Sequence, residues 1–171
     1  MGHLNPDDIE SGRLCVLDTN ILLYAEQGLS PQCQRLLRRC GTGELIIVLP
    51  QTVWHELGHK LMLAEAVMSG KTSGPNLAGK LSKHPEIVKD LGLYKDKLLA
   101  LKELGLGYES CTEDDFFKNA LSYREKYGLL TNDSVILATA VRLKADVLVT
   151  ADAGFRDVSE IEVVMPSDIR P

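Results

Sequence analysis

LCVLDTN, residues 14 to 20, runs four apolar residues straight into an acid at Asp18. An apolar run this short, without polar alternation, fits a strand buried on both faces, as in a parallel sheet covered by helices on its two sides. Two more such runs follow, residues 45 to 49 (LIIVL) and 147 to 149 (VLV), and Glu162 to Val164 ahead of Pro166 reads as a last edge strand. Between them lie helical signals. Ser30 and Pro31 make a cap and a first-turn proline, Leu36, Leu37 and Cys40 a helical stripe, and Gly41 a stop. Ile87, Leu91, Tyr94, Leu98 and Leu101, spaced by four, three, four and three, predict one amphipathic helix ending near Gly105. Thr112 and Asp115 predict a capping box opening a helix through Phe116, Ala120 and Tyr127 to Gly128. Strands and helices in alternation specify a single α/β domain, with a mainly parallel central sheet flanked by helices and its chemistry at the strands' carboxyl ends. Residues 1 to 13 read as a loose, acidic extension before a domain spanning 14 to 171. Residues 69 to 86, SGKTSGPNLAGKLSKHPE, read as a loop or mobile insertion within it.

Four acids stand after or beside these runs: Asp18 in LCVLDTN, Glu56 in IIVLPQTVWHEL, Asp133 in GLLTNDSVILATA and Asp152 in DVLVTADAGF. Singly, each has a local explanation. Asp18 can cap a helix starting at Thr19, Glu56 can be a solvated helical residue, Asp133 can favour a helix N-terminus, and Asp152 can sit in a turn. Together, a parallel sheet would gather all four at one edge, where uncompensated carboxylates repel one another and raise their pKa values. A protein that builds such a cluster fills it with a divalent ion, and hard oxygen donors select Mg²⁺ or Mn²⁺ over Zn²⁺.

Length and composition bound the rest. A chain of 171 residues can bury a real core as one domain, and no stretch looks like a membrane span or signal peptide. Cys15, Cys33, Cys40 and Cys111 form neither CxxC pairs nor a close-spaced framework and read as reduced core residues, so a cytoplasmic protein is expected. A net charge of -5 argues at first against nucleic acid. Setting the four clustered acids aside, however, leaves 20 of the 24 acids against 19 bases, a nearly neutral body that can accept RNA around an ion-filled pocket.

Several strings compete with this reading. HELGH, His55 to His59, matches the zinc-protease signature in which two histidines one turn apart hold the metal and the glutamate activates water. The metzincin continuation fails, with Met62 and Glu65 where Gly and His are required, although His84 or another acid would serve as a third ligand through space. GPNLAGK, Gly74 to Lys80, lacks the Ser or Thr of a phosphate loop at Leu81 and has no strand before it. Trp54 reads as packing rather than a base-stacking platform. Arg142, Lys144 and Arg156 lie near the acids in sequence, and Arg156 is the candidate RNA contact among them.

On LDTN with Asp18 and Asn20, the helical acid Glu56, Asp133 in NDSVILATA, and TADAGF with Thr150, Asp152 and Phe155, the chain resembles the PIN-domain ribonucleases, which include the VapC-type toxins of toxin and antitoxin pairs. The resemblance covers nearly all of residues 14 to 168. It implies Mg²⁺- or Mn²⁺-dependent hydrolysis of RNA phosphodiester bonds, with Asp18, Glu56, Asp133 and Asp152 as catalytic metal ligands and Asn20 and Thr150 supporting them. An antitoxin protein is an expected partner of such a chain, and an RNA-processing nuclease or a non-catalytic RNA- or protein-binding module of the same fold is the alternative. Ile21, Leu22, Leu23, Leu36 and Leu37 give the helices between residues 19 and 41 more apolar surface than one short helix pair needs to cover a sheet, and two readings stand side by side: a homodimer that buries part of it, or side chains that simply pack on the sheet.

Overall fold

The computed structural model describes residues 4–169; Gly2 and His3, assigned above to the loose extension, lie outside them. Its centre is a five-stranded sheet, β1 (Leu14–Leu17), β2 (Ile46–Pro50), β3 (Gly107–Glu109), β4 (Val147–Val149) and β5 (Glu162–Val164), in the order β3-β2-β1-β4-β5. Every pairing is parallel. Cys15, Val16 and Leu17 are all fully buried, as are Leu148 and Val149, because helices cover both faces and successive side chains point to opposite sides. Strand order runs outward from β1 to β2 and β3, then restarts on the other side with β4 and β5. That reversal opens a crevice at the carboxyl ends of β1 and β4, where ligands bind in open α/β sheets.

Eight α-helices connect the strands: α1 (Thr19–Glu26), α2 (Pro31–Gly41), α3 (Gln51–Met68), α4 (Leu77–Leu81), α5 (Pro85–Asp90), α6 (Leu93–Glu103), α7 (Leu121–Tyr127) and α8 (Thr131–Arg142). Ser30 caps α2 through the amide of Cys33, with Pro31 in the first turn, so that end forms as the sequence predicts. Thr112 and Asp115 form the predicted reciprocal pair: the Thr112 amide donates to Asp115 at 2.9 Å and the Asp115 amide to the Thr112 hydroxyl at 3.1 Å. The helix they open begins as a π-helical turn, Asp115–Ala120, and continues as α7 until Gly128, whose φ of 70° suits glycine and ends it.

Three expectations need correction. The helix predicted from Ile87 to Leu101 is two helices, α5 and α6, broken at Leu91 and Gly92. Glu65 of α3 makes the break: its carboxylate accepts from the amides of Gly92, Leu93 and Tyr94 at 2.9, 3.1 and 2.8 Å, capping α6 from another helix. The insertion is not a bare loop, since it holds α4, whose Leu81 is buried in a small cluster with Ala66 and Leu91. Residues 4 to 13 are not loose either. Pro6–Asp8 forms a 3-10 turn capped by Asn5, Arg35 pairs with Asp7 at 2.6 Å, and Arg39 donates to the carbonyls of Pro6 and Ile9. Strand β3 had no counterpart in the sequence reading.

Most of the apolar surface between residues 19 and 41 is interior. Ile21, Leu22 and Leu36 are buried, while Leu23 and Leu37 are partly covered. The four cysteines are free, Cys15, Cys33 and Cys40 inside and Cys111 partly covered. Among the described residues no helix is long and apolar enough to cross a membrane.

Candidate active site

The crevice is assembled from the ends of four elements. Asp18 follows β1 directly and is the N-cap of α1, its Oδ1 accepting from the Thr19 amide at 2.6 Å. Its Oδ2 accepts from Asn20 Nδ2 and Thr150 Oγ1, both at 2.7 Å. These supports are themselves tied to the neighbouring strand end. Asn20 Oδ1 accepts from the Ala151 amide at 3.1 Å, and Thr150 Oγ1 accepts from the Asp152 amide at 2.9 Å. Asn20 and Thr150 therefore lace the carboxyl end of β1 to that of β4, with Asp18 held between them.

Asp152 caps the 3-10 turn Ala153–Phe155 through the Gly154 amide at 2.7 Å. Phe155, fully buried, anchors that turn. Asp133 lies in the first turn of α8, on the opposite wall. Glu56 reaches over from the second turn of α3, its Oε2 accepting from Thr19 Oγ1 at 3.2 Å and, at a long 3.5 Å, from Asn132 Nδ2. Glu56, Leu130, Thr131, Asn132 and Asp133 line an open cleft of about 420 Å³. The local explanations for Asp18, Asp133 and Asp152 all hold: Asp18 and Asp152, at strand ends that feed a helix or turn, each accept from a free amide, and Asp133 stands in the first turn of α8.

Electrostatics bind the four acids into one group. Burial, and then the charges of Asp18, Asp152 and Glu56, push the Asp133 carboxyl up to about 6 from an ordinary 3.8. Asp133 has no hydrogen-bond donor among the described residues. Burial also pushes Asp18 up, against its bonds to Thr150 and Thr19, and Glu56 and Asp152 add to the rise. Glu56 moves the other way. Burial works against it, but the hydrogen bond and charge of Lys60 hold its carboxyl below the usual range.

Lys60, one turn along α3, stands 2.6 Å from Glu56 Oε1. No motif marks Lys60 in the sequence, although its i,i+4 spacing from Glu56 is a local signal.

The donor set is hard oxygen throughout. Among the described residues no three His, Cys, Asp or Glu side chains are close enough together to hold a metal ion between them. A zinc site needs three direct protein ligands, and the HELGH string does not supply them: His55 and His59 are exposed, and His84 pairs with Glu86 at 2.9 Å. Mg²⁺, by contrast, is held by one or two carboxylates together with waters and substrate phosphate, so the open cluster, in which Lys60 offsets only Glu56, fits it.

The basic residues near the acids in sequence do not join them. Arg142 is consumed by Asp115, Glu109 and the carbonyl of Ser110 on the other side of α8. Lys144 ends that helix with a φ of 52°. Arg156 lines a separate pocket with Met165, Pro166 and Ser167. Trp54 donates its indole N–H to the carbonyl of Gly107 at 3.2 Å, fastening α3 to β3.

A family model for the PIN domain matches residues 15–161. No curated protein matches the chain in sequence. Among solved structures, the chain is similar to VapBC2 from Rickettsia felis bound to a DNA fragment from their promoter. That match has a TM-score of 0.56 at 18% identity and covers 89% of this chain and 98% of the other. It is similar also to a toxin-antitoxin complex from Klebsiella pneumoniae, with a TM-score of 0.58 at 18% identity, covering 88% and 95% of the two chains. The parallel five-stranded sheet, the acids at its carboxyl edge and a family match over most of the length converge: the chain belongs to the PIN domain family.

Proposed function

We propose that this chain is a Mg²⁺- or Mn²⁺-dependent ribonuclease that hydrolyses RNA phosphodiester bonds, working in the cytoplasm as the toxin of a toxin-antitoxin pair. The observation that carries the reading is Asp133, a half-buried carboxyl without a donor, raised by burial and by three neighbouring acids. Such charge calls for a cation. When bound, the ion supplies a lowered water pKa and positive charge against the scissile phosphate. Asp18, Glu56, Asp133 and Asp152 are the residues that would hold it, one or two of them directly and the others through its waters.

The chain's own contribution is orientation and proton handling. Asp18 is fixed by Asn20, Thr150 and the Thr19 amide, so its charge is in place before substrate arrives and needs no reorganisation. Whichever of the four acids the ion leaves without a direct bond is placed to accept a proton from the attacking water. An antitoxin-type protein partner is supported by the two toxin-antitoxin structures of like fold. Phe117, Leu121 and Leu130, all exposed, offer apolar surface for assembly with a second copy, which we include in the proposal.

The test is cleavage of a labelled single-stranded RNA by the purified chain. Activity should appear with Mg²⁺ or Mn²⁺, stop with chelator and be lost in Asp18→Asn. Cleavage that persists with both would remove the ion from the reading.

A further inference from the structure

Most cations near charged partners in this fold are spent away from the crevice: Arg142 on Asp115 and Glu109, Arg35 on Asp7, Arg39 on Glu44, Lys97 on Glu26 and Lys126 on Glu160. Lys60 is different. Its partner is Glu56, and its ammonium takes Oε1, while Oε2 is occupied by Thr19 and Asn132. The oxygen of Glu56 that has no other donor is thus the one covered by lysine. An ion that recruits Glu56 must compete for that oxygen. Lys60 is also poised to move: its side chain is 46% exposed, and it borders a groove with Leu23, Leu61, Ala64 and Met68, along which its stem can shift while its head stays in water.

We propose that Lys60 is a substrate-binding residue: its ammonium neutralises Glu56 in the ion-free protein and passes to an RNA phosphate when a divalent ion takes Glu56. The inference builds on the ribonuclease reading above and adds to it the group that recognises the substrate's charge. The chemistry favours the exchange. Phosphate oxygens accept from a mobile ammonium as readily as a carboxylate does, and the four acids would otherwise repel a polyanion.

Two effects of opposite sense follow. With Mn²⁺ alone, titrated calorimetrically, Lys60→Met should bind the ion about fivefold more tightly than wild type, because the competing charge is gone. In steady-state cleavage the same variant should raise KM for RNA about tenfold with kcat within about twofold, and Lys60→Arg should restore most of the lost affinity. A lysine serving only as a helical ion pair would change Mn²⁺ affinity but leave KM for RNA unmoved. Mn²⁺ affinity that is unchanged or weaker in Lys60→Met overturns the proposal, as does an unchanged KM. If wild type neither binds Mn²⁺ nor cleaves RNA, the ribonuclease reading falls and this one with it. If wild type does both and Lys60→Met matches it, the lysine assignment alone is wrong.

Discussion

Asp133→Asn should stabilise the ion-free protein at neutral pH, and the gain should vanish in acid. In the folded state the Asp133 carboxyl is raised from 3.8 to about 6, chiefly by burial and then by Asp18, Asp152 and Glu56. A folded state that binds its proton more tightly than the unfolded chain is penalised when that proton leaves. The penalty is absent below about pH 3.8, grows between there and pH 6, and is complete above it. A shift of this size corresponds to roughly 3 kcal/mol, and screening at a half-buried group reduces it to about 1–2 kcal/mol. For a chain of this length that is about 2–8 °C in Tm. The assay is thermal unfolding of chelator-treated wild type and Asp133→Asn at pH 4 and pH 8. The variant should melt higher at pH 8 and match wild type at pH 4, and added Mg²⁺ should narrow or reverse the difference at pH 8. Equal melting at pH 8, or an advantage as large at pH 4, would refute the electrostatic account of the crevice.

Other consequences are simpler. Thr150→Val removes the hydroxyl that joins Asp18 to the Asp152 amide, so cleavage should drop at least tenfold with Mn²⁺ still bound; unchanged rates would show the brace to be dispensable. Glu65→Ala uncaps α6 and should cost about 1 kcal/mol, read as a lower urea midpoint, with cleavage retained. The double variant His55→Ala, His59→Ala should keep most activity, since hard-ion chemistry needs no imidazole; one zinc per chain by elemental analysis, lost in that variant, would overturn this. Light scattering should give a mass of twice 18.8 kDa at concentrations above those used for cleavage, and Phe117→Ser should shift it toward the monomer.

The amino-acid sequence by itself determined the frame of this protein. Strands β1, β2 and β4 are legible because a strand buried on both faces must be apolar at every position, which leaves no polar alternation to confuse it. The three aspartates are legible for a related reason: Asp18, Asp133 and Asp152 each sit where a helix or turn begins, and local chemistry already favours Asp there, whereas Glu56 lies inside α3. What lay beyond local chemistry was hidden. Gly107–Glu109 has no apolar run and becomes a strand only because the edge of β2 offers it hydrogen bonds, Val48 pairing with Gly107. The stripe from Ile87 to Leu101 keeps its period across a break that Glu65 imposes from 27 residues away. Arg142 looked free beside the acids, and the fold gave it to Asp115 and Glu109. Lys60 pairs with Glu56 by local i,i+4 spacing, but only the fold brings that pair beside Asp133 and Asp18. Sequence period and capping record what each segment does with its own backbone. Which charges face one another is decided by strand order and helix packing, because Coulomb energy depends on distance in space and not along the chain.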